Sequence, residues 1–281
     1  MLKTMRFLTP AAALGGAMAA GNAFAGQGLP KPWQMWFQEP ASPVMERIDE
    51  FHDLVFAIEV AIVLLVLGIM AYIVVRFNHK ANPVPSKNTH NTLLEVIWTV
   101  IPIIILVVIA VPSFKLLYFA DKIEKADMTL KVTGNQWFWS YAYPDQGDIQ
   151  FDSIIVAAED LKPGQPRLLT VDNKVVLPVD TNIRLLFTTN DVIHNWAVPA
   201  FGLKLDASPG RINESWVRIT SEGDYYGMCS ELCGVNHAFM PIHVQAVSKA
   251  KFAEWATAQK KAAAAERDGK TKVVQAENPA R

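Results

Sequence analysis

Met228-Cys-Ser-Glu-Leu-Cys-Gly-Val-Asn-His-Ala-Phe-Met240 contains the only two cysteines of the 281-residue chain. Two readings compete for them. A disulfide is the ordinary fate of an even number of cysteines in an exported domain. Cys229 and Cys233, however, would close a ring of only five residues, which restrains little of the unfolded chain. A metal site is the alternative, because soft donors crowd the same stretch: His237 stands four positions after Cys233, and Met240 three further on. A second imidazole, His194, arrives from a separate strand end. Two cysteines, a histidine and a methionine within twelve residues are hard to explain as packing. Thiolate, imidazole and thioether together select copper over harder ions.

The number of ligands separates one copper from two. A single blue-type copper takes two histidines, one cysteine and a weak axial methionine, which leaves one thiolate over. Two coppers bridged by both thiolates would each receive two sulfurs, one imidazole and one weak donor. Met240 can be one weak donor, and a backbone carbonyl between the cysteines, that of Glu231, the other. Such a pair can share an electron with little rearrangement, so it suits electron transfer better than bond breaking.

Working outward, residues 127–248 hold short runs rich in Val, Ile, Thr and aromatics, broken by Pro144, Gly147, Pro163-Gly164, Pro178, Asn190-Asp191 and Pro209-Gly210. This spacing predicts an antiparallel β-sandwich or small barrel, with strands at 167–171, 175–177 and 183–188. Residues 249–268 are Ala-rich and read as a helix stopped by Gly269, with a polar tail at 269–281.

Toward the N-terminus two apolar runs cover 54–75, with the single charge Glu59, and 96–114, with none. At ~1.5 Å per residue each is long enough for a bilayer, and neither keeps the polar stripe of a soluble core helix. A two-helix hairpin over 54–120 follows. Its loop, 76–92, carries Arg76, Lys80 and Lys87 without an acid, whereas Glu46, Asp49, Glu50 and Asp53 precede the first run. That asymmetry places the loop in the cytoplasm, and 26–53, both termini and the β domain outside. Residues 1–25, with Lys3, Arg6, an apolar stretch and Ala23-Phe-Ala25, read as a cleaved signal peptide. The alternative, a third membrane helix, suffers from a run too short and too rich in Ala and Gly.

Cys-Ser-Glu-Leu-Cys-Gly-x-Asn-His-x-x-Met resembles the binuclear copper-A motif of subunit II of cytochrome c oxidases. The likeness extends to Asp191-Val-Ile-His-Asn-Trp-Ala-Val-Pro199, to Gly202-Leu-Lys-Leu-Asp206 with Pro209-Gly-Arg211, to Gly134-Asn-Gln-Trp-Phe-Trp-Ser-Tyr141 and to Glu95-Val-Ile-Trp-Thr99. The resemblance implies a membrane-anchored, cupredoxin-like Greek-key β-sandwich or barrel on the hairpin, outside the inner membrane of a bacterium. It implies electrons accepted from cytochrome c and passed to a large haem-containing subunit that reduces oxygen to water and pumps protons. Further oxidase subunits would accompany it, and no nucleic acid is expected. The ligands implied for two copper ions are His194, Cys229, Glu231 by its carbonyl, Cys233, His237 and Met240. The Glu231 carboxylate would reach a magnesium or manganese ion shared with the large subunit.

Trp137, Trp139, Tyr141 and Tyr143 alternate, which on a strand puts them on one face. Three of them read as core. By resemblance Trp137 is the indole through which electrons arrive, and Gln136, Asp172 and Asp191 are docking residues for a basic cytochrome. Family members more often carry His, Tyr and Glu where this chain has Asn135, Phe138 and Ala142, so one acidic docking contact is missing. Thr92-Leu-Leu-Glu95 has the form of a capping box, while the resemblance gives Glu95 a place at the entrance of a proton-uptake path. His52, His79, His90 and His243 read as surface or interface residues. The competing functional reading is a membrane-anchored single-copper protein or periplasmic copper chaperone, which would have no need of Trp137.

Overall fold

The computed structural model describes residues 28–121, 125–147 and 149–277; the signal peptide expected at 1–25 lies outside them. Two long helices come first, α1 (Pro43–Arg76) and α2 (Thr92–Asp121). Both are long and apolar enough to cross a membrane. α1 begins well before its apolar run because Ser42 caps it: the Ser42 hydroxyl accepts from Met45 N at 3.1 Å, and Pro43 occupies the first helical position. The same hydroxyl donates to the Phe201 carbonyl at 2.7 Å, so the cap also ties the hairpin to the outer domain. Gly202, at φ +64, sits against this junction; a Cβ there would lie 2.7 Å from Ile48 Cδ1. At the end of α2, Phe119 lies edge-on to Trp216 and carries the Arg47 guanidinium 3.4 Å above its ring.

The start of α2 corrects one sequence expectation. Asn91, not Thr92, is the cap: its side-chain oxygen accepts from Leu94 N at 3.1 Å and its carbonyl from Glu95 N at 3.0 Å. Asn is as good a cap as Thr and stands one position earlier. The Glu95 carboxylate is therefore free of the capping-box task.

The outer domain is a sandwich of two five-stranded sheets. One runs β3 (Ile149–Ser153), β2 (Phe138–Tyr143), β1 (Met128–Asn135), β5 (Ile183–Thr189), β8 (Asn213–Val217). The other runs β4 (Val175–Pro178), β10 (Pro241–Val247), β9 (Gly223–Cys229), β6 (His194–Val198), β7 (Leu203–Ala207). β1 pairs with β5, and β4 with β10, in parallel, so the sheets are mixed rather than wholly antiparallel. These partners are far apart in sequence and are joined by long crossovers, which permit parallel pairing where a hairpin does not.

Residues 167–171, expected as a strand, form a turn instead. The Pro166 carbonyl gathers Leu169 N, Thr170 N and the Thr170 hydroxyl, and only Val171 makes a bridge, to Ile155. Alternation on β1 and β5 drives Leu130, Val132, Leu185 and Phe187 into the core beside Trp139, Tyr141, Tyr143 and Trp196. α3 (Lys249–Glu277) continues through Gly269, where the sequence suggested a stop. One glycine costs an Ala-rich helix only about 1 kcal/mol. Phe252 and Trp255 of α3 pack on Tyr143 and close one end of the sandwich.

Candidate metal centre

The strand order collects the soft donors at the end of the sandwich opposite α3. β9 ends at Cys229 and β10 starts at Pro241, with Pro241 paired to Met228, so the intervening loop holding Cys233, His237 and Met240 is closed by the ladder. His194 opens β6, whose Trp196 pairs with Cys229. Three further bonds fix the loop: Ser230 N to Asn195 O at 3.1 Å, Cys229 N to Met240 O at 3.4 Å, and Trp139 Nε1 to Met240 O at 3.3 Å.

Both cysteines are free and buried, with sulfurs 3.9 Å apart. Cys229 Sγ lies 3.9 Å from His194 Nδ1 and 3.3 Å from the Glu231 carbonyl. Cys233 Sγ lies 3.5 Å from His237 Nδ1 and 3.5 Å from Met240 Sδ. The imidazoles, the thioether and the carbonyl thus surround the sulfur pair, with His194 within 4.8 Å of both sulfurs. The set of two thiols, two Nδ1 atoms, a thioether and a carbonyl fits a soft ion such as copper and is poorly matched to magnesium or calcium.

Burial disfavours ionising either thiol; His194 and the backbone of Asn195 and Glu231 outweigh it at Cys229 and lower that thiol, and with Cys229 charged its neighbour Cys233 is pushed up. A cation is what would let both ionise at neutral pH.

His194 is wholly buried and is oriented from three sides. Its Nε2 meets Asp191 Oδ1 at 2.7 Å, Trp139 lies edge-on at 5.8 Å, and β1 passes so close that a Cβ on Gly134 would stand 2.7 Å from His194 Cδ2. Asp191 also accepts from Gln136 N at 2.6 Å, Val192 N at 2.7 Å and the Thr189 hydroxyl at 3.1 Å. Burial works against its charge, yet these donors hold the carboxyl below its usual range. Sequence reasoning saw Asp191 only as a docking acid; its position three residues before a ligand-type histidine was the available signal for a positioning role. Asp191→Ala is expected to leave the His194 ring without its anchor and to weaken copper binding about 10- to 100-fold. Titration of the variant with a competing copper chelator measures it; unchanged affinity would contradict the role.

Trp137 precedes β2 and is half-buried against the loop. Its Nε1 donates to the Cys233 carbonyl at 3.2 Å, and Gln136 Nε2 donates to the same oxygen at 2.8 Å. Trp139, Tyr141 and Tyr143 are core, as expected. Asp172 is exposed, and its carboxylate accepts from Ile154 N, just beyond β3, and from Asn173 N. The Glu231 side chain points outward, and Glu95 lies at the far end of the hairpin. His243 is not on the surface: it is 3% exposed, paired with Asp224 at 2.8 Å and tilted against the Tyr226 ring at 4.3 Å. Gly134, Trp139 and Asn91 are contributors that sequence reasoning did not single out for these tasks.

Two apolar helices bearing a β-sandwich with a cysteine, histidine and methionine site at its far end define a membrane-anchored, soft-metal protein. The family model for the periplasmic domain of cytochrome c oxidase subunit II matches residues 128–247, and that for its transmembrane domain matches 30–116. The chain belongs to the cytochrome c oxidase subunit II family, and α1 and α2 anchor it in a membrane. A probable cytochrome c oxidase subunit 2 of Rickettsia bellii is 56% identical over 84% of this chain and 87% of its own length. A cytochrome c oxidase subunit 2 of Phytophthora megasperma is 47% identical over 83% of this chain and 90% of its own. The crystallised periplasmic domain of subunit II from Bradyrhizobium japonicum is 54% identical, with TM-score 0.47, over 50% of this chain and 98% of that one.

Proposed function

We propose that this chain accepts single electrons from cytochrome c at a binuclear copper-A centre and delivers them to a haem-containing large subunit that reduces oxygen to water and pumps protons. The observation that carries the reading is the convergence of six soft or weak donors: two imidazoles, a thioether and a carbonyl surround two adjacent buried thiols, more than a single ion can use. His194, Cys229, the Glu231 carbonyl, Cys233, His237 and Met240 would hold two coppers. When bound, these supply a site that takes up and releases one electron with little rearrangement.

The protein's own groups set the rest. Asp191, Trp139 and Gly134 fix the His194 ring, and burial keeps water from the sulfurs. The Trp137 indole, half-exposed and bonded to the Cys233 carbonyl, gives the arriving electron a short covalent and hydrogen-bonded route. Gln136, Asp172 and Asp191 lie on the docking side, and the exposed Leu232 and Val235 rim the loop. The Glu231 carboxylate faces outward, free to join a magnesium or manganese ion with the large subunit. The basic loop at 76–92 lies in the cytoplasm, the copper domain in the periplasm, and residues 1–25 serve as the leader.

Mixing reduced cytochrome c with the copper-loaded chain tests the reading directly. The haem absorbance is expected to show oxidation as electrons move to the copper, and a haem that stays reduced would contradict it. Met240→Ile keeps volume but removes a weak sulfur donor. The variant is expected to retain its copper while its reduction potential shifts. Loss of all copper would show that Met240 does more than tune the site.

A further inference from the structure

Glu59, the one charge in the first apolar run, takes no part in the electron route. It stands six residues beyond Asp53 on α1, about 9 Å along the helix and inside the stretch that the membrane covers. Its side chain is exposed and, among the described residues, makes no hydrogen bond or ion pair. The side chains one turn away on its face, Phe56, Ile62 and Val63, are exposed and apolar. The hairpin cannot answer it: residues 100–112 of α2 are apolar throughout. Near the outer ends of the helices Phe51 and Leu54 of α1 line one cleft with Pro112 and Leu116 of α2. A glutamate side chain is too short to climb 9 Å to the headgroups as a lysine or arginine can. Ionisable groups at such depth face the interior of a helix bundle and are paired there.

We infer that the face of α1 carrying Glu59 packs against a transmembrane helix of another chain, the large subunit on the oxidase reading, and that this helix presents a hydrogen-bond donor to the carboxyl. The inference rests on the oxidase reading, in which a large membrane subunit lies beside the hairpin. The test is to purify the complex in mild detergent with Glu59→Gln and Glu59→Leu, and to measure how much haem-bearing subunit stays with this chain after mild heating. Leucine is more apolar and inserts at least as well, so a membrane-insertion defect cannot mimic the result. It is expected to lower the retained fraction about 3- to 30-fold, with glutamine close to the parent. Glutamine falling as far as leucine would also support pairing, with a cation as the donor. Leucine retaining as much as the parent, or more, would mean that no donor of the haem-bearing subunit answers Glu59 and would overturn the inference. If the parent itself purifies without a haem-bearing subunit, the oxidase reading is what fails. A photo-reactive residue in place of Ile62 then decides the pairing separately: cross-linking to a protein helix supports it, and cross-linking to lipid alone overturns it.

Discussion

Trp137→Phe is expected to slow electron uptake from reduced cytochrome c at least about tenfold, equivalent to ~1.4 kcal/mol of barrier, while fold, copper content and docking stay nearly intact. The substitution keeps an aromatic ring in place but removes the donor that bonds the Cys233 carbonyl at 3.2 Å. Gln136 Nε2 continues to hold the same carbonyl at 2.8 Å, so the loop keeps its shape. Stopped-flow measurements over a range of cytochrome concentrations separate the possibilities. A fall in the limiting rate at constant apparent affinity marks Trp137 as the conduit, whereas a loss of affinity alone would make it only a contact.

Glu95→Gln is expected to slow oxygen reduction severalfold or more, because glutamine cannot pass a proton into the uptake path, without loss of assembly or copper. A capping box at Thr92–Glu95 would make alanine damage the helix start as well. With Asn91 as the cap, alanine and glutamine should behave alike: both fold, and both turn over slowly. Asn91→Ala is the control, costing the helix start about 1 kcal/mol with little direct effect on proton uptake. Oxygen consumption, compared with the amount of assembled complex, checks the series. Normal turnover in Glu95→Gln with failed assembly in Glu95→Ala would restore the capping role and remove the proton role.

The sequence showed most clearly what local periodicity and clustered chemistry control. The two spans carry their own signal in unbroken apolar runs, and the Cys-x-x-x-Cys loop places four donor residues within twelve positions. His194 was identified because it belongs to a recognisable stretch, although only the pairing of β6 with β9 brings it to the sulfurs. What escaped was long-range. The Asp191 contact to His194 competes with its surface reading, and composition cannot tell an acid that docks from one that aims an imidazole. The need for Gly134 exists only because β1 crosses the His194 ring. The turn at 167–171 defeated a strand reading because three donors converge on one carbonyl, that of Pro166. His243 looked like a surface residue because its cover, Tyr226, and its partner, Asp224, lie on a neighbouring strand.

The most direct test of the central claim is the electron-spin resonance spectrum, with copper analysis, of the outer domain alone, which excludes copper bound elsewhere in the complex. Two coppers per chain are expected, with a hyperfine pattern from one unpaired electron shared equally by both nuclei. One copper per chain with a single-nucleus pattern, or no copper and a Cys229–Cys233 disulfide, would contradict it.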